Sequence, residues 1–378
     1  MNRVELRARV LKSLRAQGFH VRDGKLERPE APEKSRIRLM HRPAVSHAVA
    51  EASSRLRPIE SELLRKFASG AEIVPEDVDP VLVEIRPNSE EELLFRYAKL
   101  HWSIPVSKGF GRRLRYLVVD RSNGKLMGLF GLADPVYSIP GRDEWIGWGK
   151  AAKEHNLPHV MDAYVLGAVP PYSNLLGGKL AAMLMTSSEV REAFARKYAG
   201  SESMMRHRMF DGRLALITTT SALGKSSVYD RIRFGDRLLF QSVGFTKGWG
   251  EFHFSDGVYS ELKSYADRYC EPTLRNAGWG GGEKFRNKRE IMVKVLPKLG
   301  ISPEWRNHGV RREIFVVPLA KNTREFLCGN RTRLHWFDQS ADELIQFFRR
   351  RWLLPRSIRD PSWRAWDPDS WRLWPTAS

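Results

Sequence analysis

Three groups of residues in this sequence could do chemistry. The first is the stretch VLGAVPPYSNLLGGKLAAMLM, residues 165–185, which runs from a strand-like start through a Pro-Pro turn to a Gly pair and an apolar, helix-like run. A helix start offers free N–H groups and a positive dipole end to an anion. Glycine lets a backbone and a phosphate come close. Val169, Gly177, Gly178, Lys179 and Leu180 are therefore candidates for holding a phosphorylated ligand. Pro170 and Pro171 weigh against this, because each removes an N–H donor. A packed strand-to-helix joint would carry the same pattern.

The second group is acidic. Asp162 lies inside HVMDAYVLGAV (159–169), which reads as a strand. A charge there is costly unless it is paired or functional, so Asp162 is a candidate acid–base group, and an Arg partner would make it structural. Asp143, in GRDEW (141–145), could act as a general base toward a nucleophilic amine or could cap a helix. The third group is SSVYDRIRF (226–234), where Tyr229 could face a ligand or be a half-buried aromatic. Ser221, Ser226 and Ser227 could cap helices or donate to a ligand. His155, His159, His253 and His308 lack ligand spacing, and His253 with Asp256 fits no metal pattern, so no metal is expected. No G-x-S-x-G elbow suggests a hydrolase, and no compact carboxylate cluster suggests a Mg²⁺-dependent nuclease.

The bulk charge bears on the partner. The chain has 378 residues, 63 Lys and Arg, a net charge of +19 and a pI near 10.1. Such a surface attracts polyanions, and nucleic acid, DNA ahead of RNA, is the expected partner. The cations cluster at GRRLR (111–115), RNKR (286–289), GVRR (309–312) and RRR (349–351). Arg112, Arg113, Arg286, Lys288, Arg289, Arg311 and Arg312 are the candidate nucleic-acid contacts. No apolar run approaches the ~18 residues a membrane span needs, so no membrane association is expected. Cys270 and Cys328 are isolated, as expected of reduced thiols in a cytoplasmic protein. The basic N-terminus lacks the apolar centre of a secretory signal and suits an amphipathic helix.

These residues need elements to position them. A helix and a small hairpin at Asp23-Gly24 open the chain, a linker is expected over 29–45, and helical spacing resumes over 46–69. VLVEI (81–85) is followed by a helix with a capping box from Ser89 to Glu92. LRYLVVD and KLMGLFGLAD form strands around an Asn-Gly turn. A polar helix (141–156), the strand at 159–169, one helix over 177–200, a strand at 213–222 and a short helix at 226–234 come next. LLFQSVGFT and WGEFHFSD read as two more strands, with helix and loop beyond. The expected organisation is a helical module (1–85), an α/β core (86–265), a basic extension (266–350) and a Trp/Arg-rich tail (351–378). That tail suits base stacking, or wrapping over the body with its Trp rings as anchors.

The order of elements, α/β (α+β) around one mixed sheet, resembles the GNAT-like acyltransferase fold. That resemblance implies that Val169 to Leu180 holds the pyrophosphate of an acyl-CoA, and that Tyr229 protonates a departing thiolate. Several segments together, among them GFGRRLRYLVVD, DAYVLGAVPPYSNLLGGKLAAML, TTTSALGKSSVYDR and HGVRREIFVVPLAKNTREFL, resemble the DruA-type domain family, named for the Druantia anti-phage defence system. This implies anti-phage defence, with other defence-system subunits as partners. The expected function is transfer of an acyl group, or another modification, onto a nucleic-acid base. The alternative is a non-catalytic nucleic-acid recognition module. One departure from the family pattern is the Gly-rich GWGGGEKFRNKR (278–289).

Overall fold

A computed structural model describes residues 2–375, except 24, 31, 107–110, 203–208, 227, 255–256 and 272–287. After a short hairpin, β1 (His20–Arg22) and β2 (Lys25–Glu27), come β3 (Pro80–Glu84), β4 (Arg113–Asp120), β5 (Lys125–Ala133), β6 (Val160–Ala168) and β7 (Leu216–Thr220). A two-residue pair, β8 (Arg233–Phe234) and β9 (Arg237–Leu238), precedes β10 (Gln241–Phe245) and β11 (Glu313–Pro318). Seven of these form one sheet in the order β10-β11-β7-β6-β5-β4-β3. All its pairs are antiparallel except β6 with β7. The Asn123-Gly124 turn closes the β4–β5 hairpin, with Gly124 at φ 70°, which a β-carbon would penalise. The mixed α/β sheet expected from the sequence is present.

The helices are α1 (Arg3–Ala16), α2 (Glu33–Leu56), α3 (Glu60–Leu64), α4 (Glu90–Ala98), α5 (Pro140–Ile146), α6 (Lys150–Asn156) and α7 (Gly177–Leu184). They continue with α8 (Ser188–Tyr198), α9 (Val258–Tyr269), α10 (Lys288–Lys298), α11 (Thr323–Leu327), α12 (Ala341–Phe348) and α13 (Leu354–Arg359). Strand alternation sends side chains to two faces. Met161, Ala163, Ile217, Phe315 and Val317 join α7, α8 and α12 in the first core. Val160, Leu216 and Val316 point the other way, against α5 and α11. Further along that face, Leu117, Leu129 and Val165 pack on α3 and α4. A separate core gathers α1, α2, α9 and α10. Residues 1–85 thus contribute to three cores: Leu6 and Met40 to one, Leu56 and Phe67 to another, Ile73 and Val78 to the first. None of the helices described is long and apolar enough to cross a membrane.

Four readings of the sequence change. The linker over 29–45 is mostly helix, because α2 runs through Pro43 and buries Ile37, Met40, His41 and Ala44 at helical spacing. The helix over 177–200 is two, parted at Met185–Ser187. WGEFHFSD is not a strand: Phe252–Phe254 forms a 3₁₀ turn, and Gly248 and Gly250 both take positive φ. Strand β11, buried throughout, lies between β7 and β10, where the sequence reading placed only helix and loop. Ser89 does cap α4, accepting from Glu92 N–H at 3.3 Å. The Glu92 carboxylate takes Asn88 N–H (2.7 Å), Arg115 and Arg96 instead of closing the box on Ser89. Burial works to raise its pKa, but those donors outweigh it and hold it near 2.

The Trp/Arg tail wraps the body. Trp366, Trp371, Leu373 and Trp374 pack on the α3–α4 core, and Trp363 is buried in the first. Trp371 stacks on His101 at 4.1 Å. Glu60, itself buried, accepts from Leu373 N–H (2.6 Å) and the Tyr97 hydroxyl (2.9 Å). Gly70 N–H donates to the Trp366 carbonyl at 2.8 Å, and a β-carbon on Gly70 would overlap the Arg364 carbonyl. Gly70→Ala should therefore lift the tail and cost about 1–3 kcal/mol. Limited proteolysis with mass mapping should show new cleavage after residue 360, and an unchanged digest would refute the anchoring.

Three buried histidines meet around Phe252: His41, His253 and His308, with ring centroids 4.2, 5.3 and 4.5 Å from it. Burial, aided by Arg312 for His41 and His308, lowers their pKa values from 6.5 to about 3, 3 and 4. The unfolded chain takes up protons below pH 6.5 and the folded one does not, so stability is full above 6.5 and falls as pH drops toward 4. Each histidine costs up to about 1.4 kcal/mol per pH unit. Urea midpoints should fall between pH 7 and pH 5. Equal midpoints would contradict the neutral burial of this cluster.

Candidate functional site

Most N–H groups of the turn between β6 and α7 are already bonded, whereas that of the half-buried Gly178, in the first turn of α7, has no acceptor among the described residues. Val169 N–H donates to the Met127 carbonyl at 3.0 Å. Ser173, Asn174, Leu175 and Leu176 donate to carbonyls three or four residues back. Gly177 N–H donates to the Tyr172 carbonyl (2.8 Å) and Lys179 N–H to that of Leu176 (2.9 Å). Pro170 and Pro171, joined by a cis peptide bond, have no N–H to offer. Val169 and Leu180 are fully buried. Gly177 is required by packing, since a β-carbon there would lie 2.9 Å from the Tyr172 carbonyl oxygen. Tyr172 pins the turn: its hydroxyl donates to Asp120 Oδ2 at 2.7 Å and accepts from Asn123 at 2.9 Å.

Cations gather at this turn. Lys179 lies over the Trp352 ring at 4.6 Å. Burial and then the like charges of Arg231 and Arg351 lower its pKa, with Asp230 opposing. Among the described residues, Lys179, Arg231 and Arg351 make no ion pair with a carboxylate, and both arginines are exposed. With Asp230 the one carboxylate acting on Lys179, the group keeps a net positive charge.

Tyr229 opens a 3₁₀ turn capped by Ser226, whose hydroxyl accepts from the Tyr229 N–H at 3.1 Å. The ring stacks on Phe240 (4.9 Å) and meets Phe315 edge-on (5.3 Å). Burial pushes the phenol up to about 12, so it is neutral near pH 7. Beside it, the parallel ladder of β6 and β7 covers three pairs, ending at Asp162–Thr218. Thr219 Oγ1 then donates to the Ala163 carbonyl at 3.0 Å, while β6 runs on to Ala168.

The structure does not bring the acids to this place. Asp162 shares the face of Val160 and Leu216, whereas Tyr229 packs on the opposite face against Phe315. Asp162 also sits near the start of β6, about 20 Å along the strand from the turn at ~3.3 Å per residue. Its carboxylate accepts from Thr218 Oγ1 and from Val136 N–H (2.8 Å). Burial raises its pKa to about 6, against the Val136 N–H and Arg142 and with help from Asp134. Asp143 holds two cations: the buried Arg142 at 2.8 Å and Lys153 at 2.7 Å. Burial works to raise its pKa, but those cations outweigh it and keep the group ionised.

The candidate nucleic-acid contacts divide. Arg112 is held by Asp134 at 2.7 Å and lies over Phe194 and Phe210. Arg312 is partly buried and donates to His41 Nε2 at 2.9 Å. Arg113, Arg289 and Arg311 are exposed, Arg311 over the Phe245 ring. Lys288 lies over Tyr259 at 5.1 Å. Arg286, Ser227, Asp256 and most of the Gly-rich segment fall outside the described residues. Among the described residues, no group of His, Cys, Asp and Glu could hold a metal ion. The sequence reading passed over Arg231, which arrives from a different element than Lys179, and AKNTREFLCGNRTRLHW (320–336), whose cations are interspersed among other residues. Cys270 and Cys328 form no disulfide with each other and are partly exposed, and Cys328 Sγ donates to the Ile146 carbonyl at 3.2 Å.

The family described as Druantia protein DruA matches residues 31–329. A curated relative, "Druantia protein DruA" from Escherichia coli (strain UMEA 4076-1), is 37% identical over 368 residues, covering 97% of this chain and 90% of its own. No solved structure matches the chain significantly.

Tyr172 and Asp120 give the site its test. Tyr172→Phe leaves a buried carboxylate oxygen without its donor and should cost about 1–3 kcal/mol of unfolding free energy. Hydrogen exchange should rise over 169–177 before it rises in α8. Unaltered protection of the turn would show that Tyr172 does not anchor it.

Proposed function

The chain belongs to the DruA family, and from that premise we propose that it is a nucleic-acid-binding component of an anti-phage defence system, most plainly a DNA-recognition module working with other subunits. The observation that carries this reading is the group of Lys179, Arg231 and Arg351, cations with no carboxylate partner among the described residues, on a chain of net charge +19. Such a group neutralises backbone phosphates and steers a polyanion to the surface. The exposed Arg113, Arg289 and Arg311 extend the basic surface. The tail contributes little to base stacking, because its Trp rings are engaged with the body.

A transferase reading draws on two observations: the short parallel ladder of β6 and β7, and a neutral Tyr229 beside it. Against it, most N–H donors of the turn that would hold an acyl-CoA pyrophosphate are already bonded, leaving that of Gly178, and neither Asp162 nor Asp143 reaches Tyr229. One backbone donor and Lys179 make a sparse holder for that cofactor, and no transfer step is built on it. Stabilisation of the protein by acetyl-CoA in a thermal melt would reverse this judgement.

The binding reading is tested with a labelled duplex of about 20 base pairs over a salt series. The logarithm of the affinity should fall linearly with the logarithm of salt. The triple variant Lys179→Ala, Arg231→Ala, Arg351→Ala should lower the slope by about 2–3, near 0.9 for each lost phosphate contact. Absence of binding at low salt, or an unchanged slope, would sink the proposal.

A further inference from the structure

At the end of the sheet away from the Lys179 turn lies a hollow of about 160 Å³, beside Pro318, which pairs with the first residue of β7. Its walls are Trp145 of α5, Arg237, Gln241, Lys321, Arg324 and Phe337. Three of these are cations, and among the described residues none of the three pairs with a carboxylate; Glu325 is the one acid in the lining. Two of the cations lie on aromatic rings. The Arg237 guanidinium sits 3.7 Å from the Phe337 centroid and donates to Gln339, and that of Arg324 sits 5.5 Å from the Trp145 centroid.

The hollow is built on a fixed frame. Ala320 bridges Trp336, and Lys321 N–H donates to the His335 carbonyl at 2.8 Å. Asn322 accepts from His335 N–H (2.8 Å) and donates to the Arg333 carbonyl (2.8 Å). The loop therefore holds Lys321 and Arg324 in place and carries the exposed Arg331 and Arg333, which make no ion pair among the described residues. Burial lowers Arg237 to about 10, so it stays charged at neutral pH and carries a desolvation cost that an anion would offset.

We propose that this hollow binds a nucleoside phosphate, with the phosphate among Arg237, Lys321 and Arg324 and the base against Trp145 and its stacked guanidinium. Unpaired guanidiniums suit phosphate oxygens, and their planar faces and the indole suit a base. At about 160 Å³ the hollow takes the phosphate and one face of the base, leaves the rest of a nucleotide outside its mouth, and excludes a duplex. In naming a nucleotide, the inference rests on the nucleic-acid reading above. The ligand is either a free nucleotide or one residue of a single strand.

Calorimetric titration of the full chain with dAMP, deoxyadenosine, inorganic phosphate and a single-stranded hexanucleotide decides it. We expect dAMP to bind about tenfold or more tightly than deoxyadenosine or phosphate, a difference of about 1.4 kcal/mol. Lys321→Ala and Arg324→Ala, both at exposed positions, should each weaken dAMP at least about threefold, and Arg237→Gln about tenfold. A hexanucleotide binding about tenfold tighter than dAMP assigns the site to a strand, and an equal or weaker one assigns it to a free nucleotide. Undetectable dAMP and hexanucleotide binding, binding untouched by all three substitutions, or phosphate as tight as dAMP overturns the proposal. Duplex affinity measured on the same preparations reads the earlier proposal separately: nucleotide binding without duplex binding refutes only that one, and the reverse refutes only this one.

Discussion

The buried carboxylate of Asp120 is the constraint on which the rest of the sheet's working end depends. One oxygen accepts from Asp79 N–H (2.9 Å), Ser122 N–H (3.0 Å) and Ser122 Oγ (2.7 Å), and the other from the Tyr172 hydroxyl (2.7 Å). A charge withdrawn from water is tolerable only with this many donors. Meeting that need ties the start of β3, the β4–β5 hairpin and the turn before α7 to one point. The turn is thereby wound tightly enough to consume most of its own N–H groups, that of Gly178 excepted. What it then offers an anion is mainly side-chain charge, from Lys179 and its neighbours, with the single N–H of Gly178.

The positive charge is sorted by the same logic. Half-buried guanidiniums such as Arg115 and Arg112 find carboxylates, Glu92 and Asp134, and fully buried Arg142 finds Asp143 together with the Val136 and Tyr137 carbonyls. These groups hold layers together and have little left for a ligand. Cations without such partners collect at two places on opposite ends of the sheet: Lys179 with Arg231 and Arg351, and Arg237 with Lys321 and Arg324. The first faces outward and suits an extended polyanion. The second is concave, ring-lined and small.

Much of the framework was legible from local sequence. The Asn123-Gly124 turn, the strands β4 to β7 and the Ser89 cap follow from period and turn chemistry. Helix α2 was obscured because Pro43 and several basic residues mask the spacing of Ile37, Met40, His41 and Ala44. Strand β11 was obscured because a short apolar run reads alike as strand or buried helix, and its partners β7 and β10 are far away in sequence. The close approach that Gly177 suggests in the sequence is met by the Tyr172 carbonyl, 2.9 Å from where its β-carbon would lie.

By itself the sequence determined the sheet-forming segments, the excess of positive charge and the family, since periodicity, composition and long matched segments are properties of the chain alone. Only the tertiary structure decided which charges are spent and which are free. Asp162 and Tyr229 belong to opposite faces because strand side chains alternate, a fact that depends on register. Lys179 comes within electrostatic reach of Arg231 and Arg351, and Arg324 meets Trp145, because packing joins elements separated by many residues. Ion pairing and burial act at distances of a few ångströms in space, and linear spacing does not encode them.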